Sequence, residues 1–325
     1  ASMCGTWIVN TRDDRTAYAS ELASRTGIDP GKLPPLSASG GVVGSLAPAV
    51  AAVLGLADDV AVVAGTPDLH AAWVGSGALG IGQAHLAIST TSWISCAVAA
   101  KKTDALHSIA TVPGLTPEGH LVADNHEAAG ASLTWLRSQV VDGSYEELCD
   151  EAIHSPAGSN GVLFQPWLAG MRSPVDDRSA RGGWTGMSLQ TTRADLIRSV
   201  LEGVALQSRW LLGPVEKFAG TRFDALRILG GGAQSDLWCQ IHADALGRRV
   251  ERVREPMAAQ SRGAALIAAL ALGVIGFDDV PALVPVDRAF VPDPQVTPVY
   301  DALARELPKV YSGLKGTFSR LRSPR

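Results

Sequence analysis

The chain has 325 residues, enough for one large or two ordinary domains, and its 46% hydrophobic and 18% charged content is that of a globular protein with a real core. A net charge of −4 and a pI near 6.0 argue against general attraction to nucleic acid or an anionic membrane. Four scattered cysteines (Cys4, Cys96, Cys149, Cys239) form no C-x-x-C pair, which fits a reduced cytoplasmic chain better than a disulfide framework or a zinc site.

At the N-terminus no basic region followed by an apolar stretch marks a secretory signal. Thr16 to Thr26 is predicted as a short helix ended by Gly27-Ile28-Asp29-Pro30, and Leu33-Pro34-Pro35-Leu36 as a stiff turn. A strand over Val60–Ala64 leads into a helix from Pro67. Strands follow at Ala84–Ser89 and Trp93–Val98, then near Ser108–Thr111 and His120–Asp124. Helices are predicted at Ala128–Val140 and Tyr145–Ile153, and the strand Gly161–Trp167 precedes a loop carrying Arg172. In Arg193–Ala219, Leu196, Val200, Val204 and Leu211 recur at helical spacing; Thr192 with Asp195 makes a capping-box-like start, and Gly213-Pro214 predicts a kink or break. Next come a strand at Leu226–Leu229, a helix at Ser235–Leu246, a strand at Val250–Val253 and a helix at Gly263–Leu272. The apolar run Gly263–Phe277 falls short of the roughly 20 residues needed to span a bilayer. A closing helix over Val299–Tyr311 and a frayed basic tail complete the chain. Antiparallel strands first, then strand–helix alternation, predict a mixed α/β sheet.

The most informative segment is Arg227 to Gly247. An apolar strand ends in Gly230-Gly231-Gly232, and Ser235 opens the helix behind it. Glycines there permit a sharp turn and close approach of a ligand, and a helix N-terminus suits phosphate. Two other motifs fail on context. Gly75-Ser76-Gly77-Ala78-Leu79-Gly80 fits G-x-G-x-x-G, but a helix precedes it and a strand follows, so its small residues predict close helix packing. Gly31-Lys32 lacks the Ser or Thr of a P-loop.

The glycine corner resembles the nucleotide-binding corner of the FGGY family of carbohydrate kinases. Gly182-Gly183-Trp184-Thr185-Gly186-Met187, seven residues, then Asp195-Leu196 and Ser199–Glu202 resemble the family's second signature. Leu163–Pro174, Val62–Ala72 and Arg262–Gly273 resemble three further family segments in the family's order. The resemblance runs from Gly44 to about Val280 and implies a ribonuclease H-like, actin/hexokinase-type ATPase fold, a mixed sheet flanked by helices. It implies ATP-dependent phosphorylation of a sugar or polyol, xylulose kinase-like in the look of its motifs, with Mg2+ arriving on the nucleotide. Asp68 matches the family's catalytic aspartate. Thr91, Gly130, Thr134, Gly231, Gly232, Ala233 and Asp236 fall on its nucleotide side.

Several positions depart from the family. Thr90 stands where glycine is usual, Thr134 is shorter than glutamine, and Asp236 replaces an asparagine, so it is expected to face ribose or cap its helix. His70 reads as a packed or exposed histidine, and Arg172 and Arg181 as interdomain or surface contacts. The family's first domain is unmatched and no initiator Met is present. The expectation is therefore a truncated product or fragment, with 1–55 a remnant of the first domain and 56–325 the C-terminal nucleotide-binding domain. An exposed apolar patch near Asp68 and within Ala1–Gly55 is expected to favour a homodimer or a separately made N-terminal half. The alternative is a non-catalytic nucleotide-binding or assembly module.

Overall fold

The computed structural model describes residues 8–9, 17–116 and 119–322. The start of the first predicted helix, at Thr16, lies outside them. Helix α1 (Ser20–Thr26) ends at Gly27 in the left-handed region. Strand β1 (Val42–Ser45) and helix α2 (Pro48–Leu54) follow, and β1 pairs antiparallel with β2 (Ala61–Val63) in a small separate sheet. Neither β1 nor α2 was expected, because their apolar residues are largely exposed and show no buried-face period.

Helix α3 (Asp68–Ser76) leads into β3 (Ala84–Ile88), β4 (Ser92–Val98), β5 (Thr103–Asp104), β6 (Ile109–Pro113) and β7 (His120–Ala123). Helices α4 (Gly130–Gln139) and α5 (Tyr145–Ala152) precede the short hairpin β8 (Leu163–Gln165) and β9 (Gly183–Thr185). Helix α6 (Arg193–Ala219) opens on the expected capping box, Thr192 with Asp195. It runs through Pro214 as one helix: Gly213 beside it meets nothing, and Leu211, Leu212 and Val215 are buried on both sides of the proline. Packing outweighs the lost backbone hydrogen bond here.

The last third alternates as predicted in β10 (Ala225–Leu229), α7 (Asp236–Leu246), β11 (Arg249–Val253) and α8 (Ala259–Ala271), then adds the unpredicted α9 (Val280–Leu283) and β12 (Val286–Phe290) before α10 (Thr297–Arg322). Helix α10 outruns its predicted end at Tyr311, burying Phe318 against Trp167.

The main sheet has eight strands in the order β12-β11-β10-β3-β4-β7-β6-β5. β10 is parallel to β3 and β11, and the other pairings are antiparallel, so the sheet is mixed as expected. Alternate residues feed two cores. Leu86, Ile88, Ile94 and Ile228 pack with α6, α7 and α10 on one face. Ala87, Trp93, Leu229 and Val253 pack with α3 and α8 on the other.

Helix α3 is fixed by a glycine crossing. A Cβ on Gly75 would lie 1.8 Å from the Ala259 carbonyl oxygen, and one on Gly263 would lie 1.8 Å from that of Ala71. The backbones of α3 and α8 touch there, so Gly75 serves close helix packing, as its sequence context predicted.

Candidate functional site

The three glycines at the end of β10 meet different demands. Gly230 has φ +93, and a Cβ there would lie 2.4 Å from the Ile88 carbonyl oxygen. A Cβ on Gly232 would lie 2.5 Å from Ile88 Cγ2. Both are required by the fold. Gly231 is exposed, and its nearest obstacle is the end of a flexible side chain, Met257 Sδ at 3.4 Å. A short 3-10 turn (Gly231–Gln234) separates these glycines from α7, whose N-cap is Ser235: the Trp238 N–H donates to its hydroxyl at 3.2 Å.

Beside this corner lies the Ser89-Thr90-Thr91 turn between β3 and β4. The Gly130 N–H donates to the Ser89 carbonyl at 2.8 Å, and the Ala129 and Ala131 N–H groups donate to the Thr90 carbonyl at 3.0 and 3.1 Å. A Cβ on Gly130 would lie 2.3 Å from the Ser89 oxygen. The amino end of α4 is thus docked on the turn, and Gly130 is the residue that lets it approach.

A cavity of about 940 Å³ opens between this turn, the glycine corner, α4, α5 and the start of α8. Such a volume is typical of a small-molecule or cofactor site. Helix α5 presents Tyr145, Cys149 and Ile153 to it, spaced i, i+4, i+8, while Leu148 and Ala152 enter the core. The Tyr145 hydroxyl donates to Thr134 Oγ1 at 2.9 Å, the Thr134 proton being directed to the Gly130 carbonyl at 3.0 Å. The Arg137 guanidinium lies 4.5 Å from the centre of the Tyr145 ring. Burial raises the Cys149 thiol above its ordinary pKa, which keeps it neutral.

Three carboxylates, Glu146, Asp150 and Asp236, line the cavity, and neither lysine nor arginine does so among the described residues. Asp236 is compensated: Arg252 reaches it at 2.6 Å and Arg288 also pairs with it. Arg252 in turn holds Asp287 at 2.7 Å.

The cavity thus brings together Gly130, Thr134, Gly231, Gly232 and Asp236 from the sequence-derived set, with Thr90 beside them. Thr91 sits in the same turn but does not line the cavity, and Ala233 is buried behind the glycines. Asp236 is not the helix cap, which is Ser235. Asp68 lies apart, exposed at the start of α3, its carboxylate accepting from the Leu69 N–H at 2.8 Å. Trp93 connects the two regions, lining the cavity while packing in the α3 core. His70 is buried with Nε2 2.7 Å from the Pro113 carbonyl, the packed histidine of the sequence reading. Arg181 donates to carbonyls of its own loop, at 2.6 Å for Ala180. Sequence reasoning missed Tyr145, Cys149 and Ile153. The available signal was a second apolar stripe on a short helix, beside the Leu148–Ala152 stripe that the core already uses.

Residues 86–272 match the FGGY family of carbohydrate kinases, C-terminal domain. Over 285 residues the chain is 32% identical to a xylulose kinase of Staphylococcus epidermidis, covering 87% of this chain and 57% of that relative. The chain therefore spans little more than half that relative's length. The ligand-bound xylulose kinase of Lactobacillus acidophilus superposes with a TM-score of 0.86 at 22% identity, over 97% of this chain and 64% of that one. The glycerol kinase of Plasmodium falciparum with ADP gives 0.75 at 18% identity, over 90% and 59%. The fold is that of these neighbours, the ribonuclease H-like fold of actin- and hexokinase-type ATPases.

Proposed function

The chain belongs to the FGGY family of carbohydrate kinases, and on that premise we propose that it carries the nucleotide half of an ATP-dependent phosphorylation of a sugar or polyol hydroxyl, xylulose foremost. The observation that carries this reading is Gly231: exposed at a roomy cavity, it is the glycine of the corner whose missing side chain the fold does not demand. On this reading Gly231 and Gly232 form the adenosine and α-phosphate side with Ala233 packed behind them, and Asp236 faces ribose. Thr91 belongs to the phosphate side, and Gly130 and Thr134 form the opposite wall.

Asp68 is the proposed base. The substrate hydroxyl oxygen attacks the γ-phosphorus in line, the bond to the β–γ bridging oxygen breaks, ADP leaves, and the hydroxyl proton passes to the Asp68 carboxylate. Mg2+ is proposed to accompany the nucleotide, where it neutralises phosphate charge. No group of three or more His, Cys, Asp or Glu side chains among the described residues is arranged to hold a metal, and no protein residue is assigned to the ion. The proposed domain division is a first-domain tail in 1–55 and the nucleotide domain in 56–325, working in the cytoplasm on a small sugar.

A second reading keeps the nucleotide site without the chemistry, as a binding or assembly module. It is favoured by the separation of Asp68 from the cavity lining. The two share one test: calorimetric titration with MgADP should give saturable one-to-one binding. No heat and no thermal shift at millimolar nucleotide would sink both, and γ-phosphate transfer from ATP to xylulose separates them.

A further inference from the structure

We propose that Tyr145 is the platform on which the nucleobase stacks, held in place by Thr134 and Arg137. The proposal rests on the nucleotide reading of the cavity and names the residue that reads the aromatic end of the ligand.

Tyr145 is 44% exposed yet lines the cavity, so an aromatic surface is presented to a ligand rather than to the core. Two contacts fix the ring before anything binds. Its hydroxyl is anchored on Thr134 at 2.9 Å, and the Arg137 guanidinium lies 4.5 Å from the ring centre. A side chain held in this way loses little further freedom on binding. Leu133, Cys149 and Ile153 line the same cavity and add apolar surface, which suits a flat heteroaromatic ring.

The charge pattern orients the ligand. Glu146 and Asp150, one helical turn apart on α5, place carboxylates at the Tyr145 end. They repel phosphate and accept hydrogen bonds from an exocyclic amino group such as that of adenine. The glycine corner lines the same cavity, and its own carboxylate, Asp236, is neutralised by Arg252 and Arg288, which leaves that side to the ribose and α-phosphate. Thr134 therefore acts through Tyr145 rather than by touching the nucleotide, which answers how a side chain shorter than glutamine serves at this position.

The test is calorimetric titration of adenosine, ADP and inorganic tripolyphosphate into the full 325-residue chain and its variants. Stacking on one aromatic ring predicts that Tyr145→Ala weakens adenosine and ADP by about 10-fold or more, and that Tyr145→Leu, which keeps apolar area without the ring, does nearly the same. Tyr145→Phe should weaken adenosine about 2- to 3-fold, as should Thr134→Val. In the Tyr145→Phe background Thr134→Val should add nothing, because its effect runs through the missing hydroxyl. Tripolyphosphate should respond to none of these changes. Equal adenosine affinity in the wild type and in a folded Tyr145→Ala variant overturns the platform and leaves the nucleotide site standing. A wild-type chain that binds neither adenosine nor ADP overturns both.

Discussion

Gly231 and Gly232 are neighbours in the chain but sit in opposite circumstances. Gly232→Ala drives a methyl against Ile88 and should cost about 1–3 kcal/mol, read as a fall in Tm. Gly231→Ala meets only Met257 and should leave stability within about 0.5 kcal/mol, while weakening ADP by steric exclusion. If Gly231→Ala binds ADP as tightly as the wild type, the ligand does not approach that backbone. Asp68 carries a separate expectation. In a form of the protein that phosphorylates sugar, Asp68→Asn should lower kcat about 10²- to 10⁴-fold with ADP affinity unchanged. A loss of less than threefold would return Asp68 to an ordinary helix-start carboxylate. The special backbone of the glycine corner was legible in the sequence, whereas Asp68 was singled out only by its match to a family motif. Tyr145 was not legible, because its meaning comes from Thr134 and Arg137, eleven and eight residues away, and from a cavity that only the assembled helices create.

At the scale of elements, the α3–α8 crossing decides where Asp68 stands. Gly263→Ala places a methyl 1.8 Å from a backbone oxygen and must part the helices, at a cost of about 3 kcal/mol, the upper end for overpacking. A Tm within 2 °C of the wild type would show that the crossing yields readily. This packing was readable beforehand, since a G-x-G-x-x-G with a helix before it has the wrong context for a dinucleotide turn. Of the kink or break expected at Gly213-Pro214, the break does not occur, because α6 is buried along both sides and tertiary packing overrides local propensity. Strands β1 and β12 escaped prediction for a related reason: β1 is exposed throughout, and in β12 only Phe290 is buried.

For the whole molecule, buried titratable groups set a pH optimum. Burial pushes the His85 and His126 rings down to about 3 and His242 to about 4. Below about pH 6.5 the unfolded chain binds protons that the folded one refuses, so these three lose stability as pH falls. Asp124 works in the opposite sense. Burial raises it to about 8, so above about pH 4 the unfolded chain releases a proton that the folded one keeps, and stability falls as pH rises. With His70 lowered and Asp244 raised by burial in the same two senses, the histidines outnumber the carboxyls and predict a stability maximum near neutral pH and a decline toward acid. Asp124→Asn should flatten the alkaline side, as read from urea unfolding across pH. Within the 1–55 segment where the sequence predicts exposed apolar surface, Val42, Val43, Val53 and Leu54 are each more than half exposed. This surface should bind a hydrophobic dye, and Val53→Asp should reduce that signal.

Whether the glycine-corner cavity is a nucleotide site can be seen in a crystal structure of the chain with MgADP. ADP is expected in this cavity, its base against Tyr145 and its α-phosphate beside Gly231. ADP ordered elsewhere, or an open cavity at saturating nucleotide, would contradict the nucleotide assignment.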